Sequence, residues 1–586
     1  QGLTLFLKGL LLLGLVVISV LAVLLAAPVA LLLRWRYRRA VSEMMLTRAG
    51  RADEPSPRTA GHLQPAGLPA PPDPRLEIID PDAPAEPGAW AAALSRRALK
   101  ARWRLASAYV LAGVVQAVLL PAYTTSLLPP GQSPRGGLAF AGEVILVFVV
   151  FAWPLVPTVI IVAVANRLHK LLVPLLYPLL ILCGVAVAGS SGGRGVDGTP
   201  PPDWLSAGVT SAVLFLRIWL NLMVVPTVFF IALQFLKAVG MAVGVVLFLF
   251  LTGVVIACGV LTLDTLWGPL EVLLGLLTVA CFAALPVLLL RRLGRFYADK
   301  RASDQSLTLD SYWLLIIGWV TFAAVLAEFE SGLRYGPFLL LSFVVYKLLL
   351  WAGLRFVGRG AREGRNVRLL LLRTFGSRRR SERLLDELEK HWRYVGSIQL
   401  VAGADLAASN LELHEFLDFL GGRLGDRFIK GRADLARQVA ALDLRPDPDG
   451  RFRVNEFFCY DDTWRDTLVT LARASDAVLM DLRGFTEQNR GCVFELEQLV
   501  QLVPASKVVF VVDRTTNMDF LAATLDVAWR GMGAHSPNRT ARAPVLRVLR
   551  VTRQNSRAVR RLLLALFEAA RPAASAAEPA TASGAV

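Results

Sequence analysis

The turn "DLRGFTEQNRG", Asp481 to Gly491, gathers the chain's densest set of residues suited to chemistry. Arg483 and Arg490 are charge-assisted donors for an anion. Gly484 and Gly491 allow a ligand close to the backbone. Asn489 to Gly491 opens a helical pattern, and a helix N-terminus offers N–H groups and partial positive charge suited to phosphate. Glu495 follows within two turns and reaches the same crevice, with Glu497 as its rival at the other edge of the apolar stripe. A carboxylate beside a phosphate-and-ribose pocket stabilises an oxocarbenium ion at an anomeric carbon, or attacks it. N-glycosidic cleavage of NAD or a nucleoside is the matching chemistry. Plainer readings compete. Glu495 is a solvated helix residue, Arg483 pairs with Asp481 or Glu487, and Trp464 is core. Cys459 and Cys492 are small packing residues.

The turn needs a scaffold. "DAVLMD" before it reads as a buried strand and "RGCVFELEQLVQLV" after it as a helix. The same alternation runs from Asn366 to Arg571. "NVRLLLLRTF", "SIQLVAG", "KVVFVVD" and "PVLRVLRV" read as strands, and "RVNEFFCY" fits one too. "SERLLDELEKHWRYV", "NLELHEFLDFLGGRL", "DDTWRDTLVTLARAS", "NMDFLAATLDVAW" and "SRAVRRLLLALFEAA" read as helices. Asp461 or Asp462 is the expected cap of the third of these. The stretch from Asp426 to Arg453 has no clear period. Alternating strands and helices predict a doubly wound, flavodoxin-like α/β domain, with a ligand site beyond the carboxyl ends of the strands.

The segment "SDAVLMDLRGF…NRGCVFELEQL" resembles the strand–loop–helix of nucleoside 2-deoxyribosyltransferase-like and Toll/interleukin-1 receptor (TIR)-like domains. The resemblance places the family's catalytic glutamate on Glu495. It departs where the deoxyribosyltransferase pattern has an acidic residue before Gly-Thr, since Asn489 and Gly491-Cys492 stand near those places. "LLLLRTF" resembles the first strand and loop of bacterial TIR-like membrane proteins, which implies Arg373 and Phe375 as lining of the crevice. Arg483, Gly484, Asn489 and Gly491 would hold phosphate or ribose. The ligand so implied is NAD or a nucleotide, and the role that of a sensor or effector in bacterial defence or stress signalling.

The chain ahead of this domain is different. Of 586 residues, 55% are hydrophobic, and the long apolar runs end near residue 357. Runs of about 20 apolar residues read as membrane spans. The first, residues 1–34, is followed by "RWRYRR" and reads as an anchor. Residues 35–104 read as a Pro-rich linker and 105–357 as a helical membrane domain. Its spans are expected at 105–127, 139–165, 171–189, 207–235, 240–262, 268–290, 311–329 and 336–356, giving about nine with the anchor. Residues 572–586 read as a disordered tail. The positive-inside rule then sets the N-terminus outside and the α/β domain in the cytoplasm, at the cell membrane. Arg217, one turn before Asn221, and Lys347 are charges within apolar runs and the basis of a transporter reading.

A net charge of +17 would suit nucleic acid, yet much of the excess flanks apolar runs, so the partner expected is the bilayer. A nucleotide-like small molecule and a second copy of the chain are the other expected partners. The five cysteines form no CxxC pair and the five histidines show no ligand spacing, so no metal is expected. The alternatives to an enzyme are a non-catalytic signalling or oligomerisation module and a transporter regulated by its cytoplasmic domain.

Overall fold

A computed structural model describes residues 2–47, 71–82, 87–126, 341–356, 365–373, 387–402, 418–442, 444–541, 543–551 and 556–572, with single positions between 155 and 313. The chain divides into two units. One comprises Gln1–Arg34, Arg102–Gly358 and Glu412–Leu417, and the other Trp35–Ala101, Arg359–Leu411 and Asp418–Val586.

The second unit is built on a sheet of eight parallel strands. They are β1 (Arg75–Ile79), β2 (Leu369–Arg373), β3 (Ile398–Val401), β4 (Phe428–Ile429), β5 (Val454–Cys459), β6 (Ala477–Asp481), β7 (Val508–Val512) and β8 (Val545–Arg550). Their order is β1-β8-β7-β6-β2-β3-β5-β4. The inner run β3-β2-β6-β7-β8 has the flavodoxin order, widened by β5 and β4 on one side and β1 on the other. All residues of β2, β6 and β7 are buried, as apolar strands covered on both faces must be. One cover is α4 (Trp464–Ala474), α5 (Arg490–Leu502) and α6 (Met518–Arg530), whose apolar stripes join Leu370, Leu372, Val478, Met480 and Phe510 in one core. The other includes α7 (Ser556–Ala569), which packs on β6 and β7 and stacks Phe567 on Trp392.

Several expectations change. The nine-span membrane domain is corrected. Among the described residues one stretch, Val20–Leu46 of α1 (Gly2–Leu46), is long and apolar enough to cross a membrane, and the sheet with its helices is the main architecture. α1 buries Ala22, Ala26 and Ala30 and exposes Leu21, Leu24, Leu25, Leu31 and Leu32, a pattern compatible with a lipid-facing anchor. The runs at 105–127 and 336–356 are helical where described. The first lies in α2 (Ala89–Ser126), whose initial half carries five Arg and Lys residues from Arg96 to Arg104. The second is the helix over 341–356. The other expected spans, with Arg217 and Asn221, lie outside the described residues save for single positions. An apolar run fits a bilayer or a protein interior equally well, and this is why run length alone overcounts. The expected linker is also more than a spacer: its residues 75–79 are strand β1. The unplaced 426–453 stretch holds β4 and α3 (Arg432–Ala440). The cap position of α4 is Thr463, not Asp461 or Asp462, and its hydroxyl accepts from the Tyr460 amide. The tail beyond residue 572 is outside the described residues.

The strands that bear on the site are fixed at their base. Asp476, at the foot of β6, accepts from the Arg368 amide at 2.9 Å and the Arg365 guanidinium at 2.5 Å. Arg365 in turn offers its carbonyl to Arg97 at 3.1 Å. Replacing Asp476 by Ala leaves the Arg368 amide without that acceptor and should cost about 2 kcal/mol, whereas Asp476→Asn should cost less. Denaturant unfolding of the full chain, followed by circular dichroism, reads the difference.

Candidate functional site

The sheet fixes where a site should lie. β2 connects outward to β3, while β6, on the other side of β2, leads to β7 and β8. The two adjacent strands therefore form the switch point, beyond whose carboxyl ends such a sheet is expected to place a ligand. Arg373 ends β2 and Asp481 ends β6, and the two are register partners.

Around that point the turn is tightly tied. Arg483 grips Asp481 through Nε and Nη2, each at 2.7 Å, and both side chains are buried. Burial works to lower the Arg483 pKa, but the Asp481 carboxylate, with Asp513 behind it, holds it above its ordinary value. Gly484 has a φ of 76°, a left-handed conformation that favours glycine, in the turn closed by the Phe485 amide on the Leu482 carbonyl. Phe485 is buried and stacks on Phe520, and the Asn517 amide bonds its carbonyl. Thr516 donates to the Leu482 carbonyl at 3.0 Å. The loops after β6 and β7 are thus sewn together.

α5 enters above this turn. Asn489 holds its N-cap position, but the side chain accepts from the Thr486 amide and hydroxyl instead of capping the helix. The helix's first amides, of Arg490 and Gly491, have no intrahelical partner by position. A Cβ on Gly491 would meet open space. One turn in, the buried Cys492 thiol lies 3.7 Å from the Arg373 carbonyl. Glu495 is three residues further on, hence on the same face of α5 and directed to the end of β2.

Glu495 is the unusual group. Only 5% of it is exposed, and its Oε2 is buried without a hydrogen-bond partner. Burial pushes its carboxyl up to about 8, while the Arg373 guanidinium pulls the other way. The solvated-surface reading of Glu495 therefore fails, and Glu497, half-buried, is the weaker candidate. The arrangement can hold an anion at the helix start and set a carboxyl group, proton on or off, against a bound sugar.

The structure brings together Arg373, Arg483, Gly484, Asn489, Gly491 and Glu495 at one end of the sheet. It commits Nε and Nη2 of Arg483 to Asp481 and Oδ1 of Asn489 to its own turn, so these atoms are not held out for a ligand as expected. Phe375 lies outside the described residues. Sequence reading missed Asp513 as part of this rim. Its signal was available: "KVVFVVD", like "DAVLMD", is an apolar strand run ending in aspartate. No group of three or more His, Cys, Asp or Glu placed for a metal occurs among the described residues. No family model, curated protein or solved structure matches the chain.

Because the folded state favours protonated Glu495, its stabilising preference is complete below about pH 4.5 and is lost as pH rises through about 8. Glu495→Gln removes this dependence. The variant should gain on the parent between those limits, reaching on the order of 4 kcal/mol at pH 9. Paired unfolding curves at pH 5 and 9 measure it. Arg483→Ala should cost about 3–5 kcal/mol by stranding buried Asp481, read in the same assay.

Proposed function

We propose that the protein is a membrane-anchored sensor or effector whose TIR-like α/β unit binds NAD or a nucleotide beyond β2 and β6, with Glu495 as the acting carboxylate. One observation carries this reading: a buried glutamate with an unpartnered oxygen, set beside Arg373 at the sheet's switch point. A helix glutamate kept for structure gains nothing from such a place, because burial there costs stability above its ordinary titration range.

The phosphates bind at the α5 start, where Gly491 leaves room. The bond from the anomeric carbon to the base nitrogen breaks, and its electron pair leaves with the base. Ionised Glu495 stands against the positive charge left on the ribose. Water then adds at that carbon and one proton is released. α1 anchors the unit, and Arg34, Arg36, Arg38 and Arg39 at the end of its apolar stretch set the α/β unit on the cytoplasmic side of the cell membrane.

A second reading, nucleotide binding or self-association without turnover, draws on Arg483, whose fork is spent on Asp481. The transporter alternative rests on Arg217, outside the described residues, and on Lys347, which is paired with Asp310 at 2.6 Å.

The full chain in lipid nanodiscs, given NAD and followed for nicotinamide release, tests the proposal. Release is expected, with kcat/KM rising with pH towards about 8 as Glu495 ionises, and with activity lost in Glu495→Ala and Glu495→Gln. Equal release from Glu495→Ala removes Glu495 from the reaction. Calorimetric binding without release selects the second reading, and neither binding nor release overturns both.

A further inference from the structure

β1 stands at the end of the strand order. The Arg75 amide bonds the Pro544 carbonyl at 2.8 Å, so Arg75, Glu77 and Ile79 turn their backbone groups towards β8. Leu76 and Ile78 turn theirs outward, by the alternation of a strand. In register, Leu76 lies beside Leu546 and Ile78 beside Val548, two core residues, so their side chains share that face. Yet Leu76 is 53% exposed and Ile78 66%. An edge strand with outward backbone groups and bare apolar side chains is a template for another strand.

We infer that this edge is an interaction surface for a second copy of the chain, with β1 antiparallel to its partner's β1 about a two-fold axis at Leu76. Charge selects that register. An axis at Glu77 would set the two copies of Glu77 face to face. An axis at Ile78 would set Glu77 against Ile79 and leave Arg75 beyond the partner strand. An axis at Leu76 sets Arg75 against the partner's Glu77 twice, a favourable cross-strand pairing. It also makes Leu76 and its symmetry mate a hydrogen-bonded pair that exchanges both outward backbone bonds. Glu77, already 3.3 Å from Arg547, then lies between two arginines. The same surface on both copies is what a two-fold interface requires. The contact is small, and tethering to one membrane supplies the effective concentration that a small contact needs. It is independent of the ligand reading.

The full chain in membranes, oxidised and run on a non-reducing gel, tests the register, with the unsubstituted chain as the baseline for its native cysteines. Leu76→Cys on the axis should give a covalent dimer, and Ile78→Cys, away from it, much less. Adding Arg75→Glu to Leu76→Cys should abolish the dimer, and adding Glu77→Arg to that pair should restore it. Three results would each overturn the inference: a Leu76→Cys yield at baseline, equal yields from the two cysteine variants, or a yield indifferent to Arg75→Glu.

Discussion

The parallel pairing of β2 with β6 is the constraint on which the rest depends. It places Arg373 opposite Asp481 at the carboxyl end and is fastened by Asp476 at the base. The chain winds outward from these two strands in opposite directions, which makes their ends the switch point of the sheet. Arg483 folds back on the buried Asp481 side chain there, with two hydrogen bonds of 2.7 Å. The need to pair one buried carboxylate therefore shapes the whole turn.

Glu495 receives no such treatment. Its neighbours on α5, Cys492, Leu496 and Leu499, are core residues, and the helix carries it into the same apolar setting. Two acids thus sit near one strand end under opposite conditions. Asp481 takes a two-point grip from an arginine, whereas Glu495, without such a grip, is pushed by burial towards its protonated form.

How much was legible follows from local physics. The apolar runs "LLLL", "AVLM" and "VVFVV" read as doubly covered strands, and their alternation with helices pointed to a parallel sheet, though not to its strand order. Glu495 was visible from its spacing after the turn, but its burial was not, since the wheel set it at the stripe's edge. The Arg483–Asp481 pairing was readable as one of two options. β1 was not readable: "RLEII" is one short run amid prolines, and its partner lies 470 residues away. The nine expected spans were an overcount where run length alone was used, since composition does not tell lipid from protein surroundings.

That distance between β1 and β8 has a consequence for biosynthesis. Residues 75–79 leave the ribosome long before β8 exists, so they must wait unpaired while the intervening chain is made. Sheet closure at this border is then among the last events of maturation and among the slowest, because so large a loop must be closed. A fragment beginning after Ile79 would lack the strand altogether and leave the side of β8 bare, which makes such fragments sticky during expression.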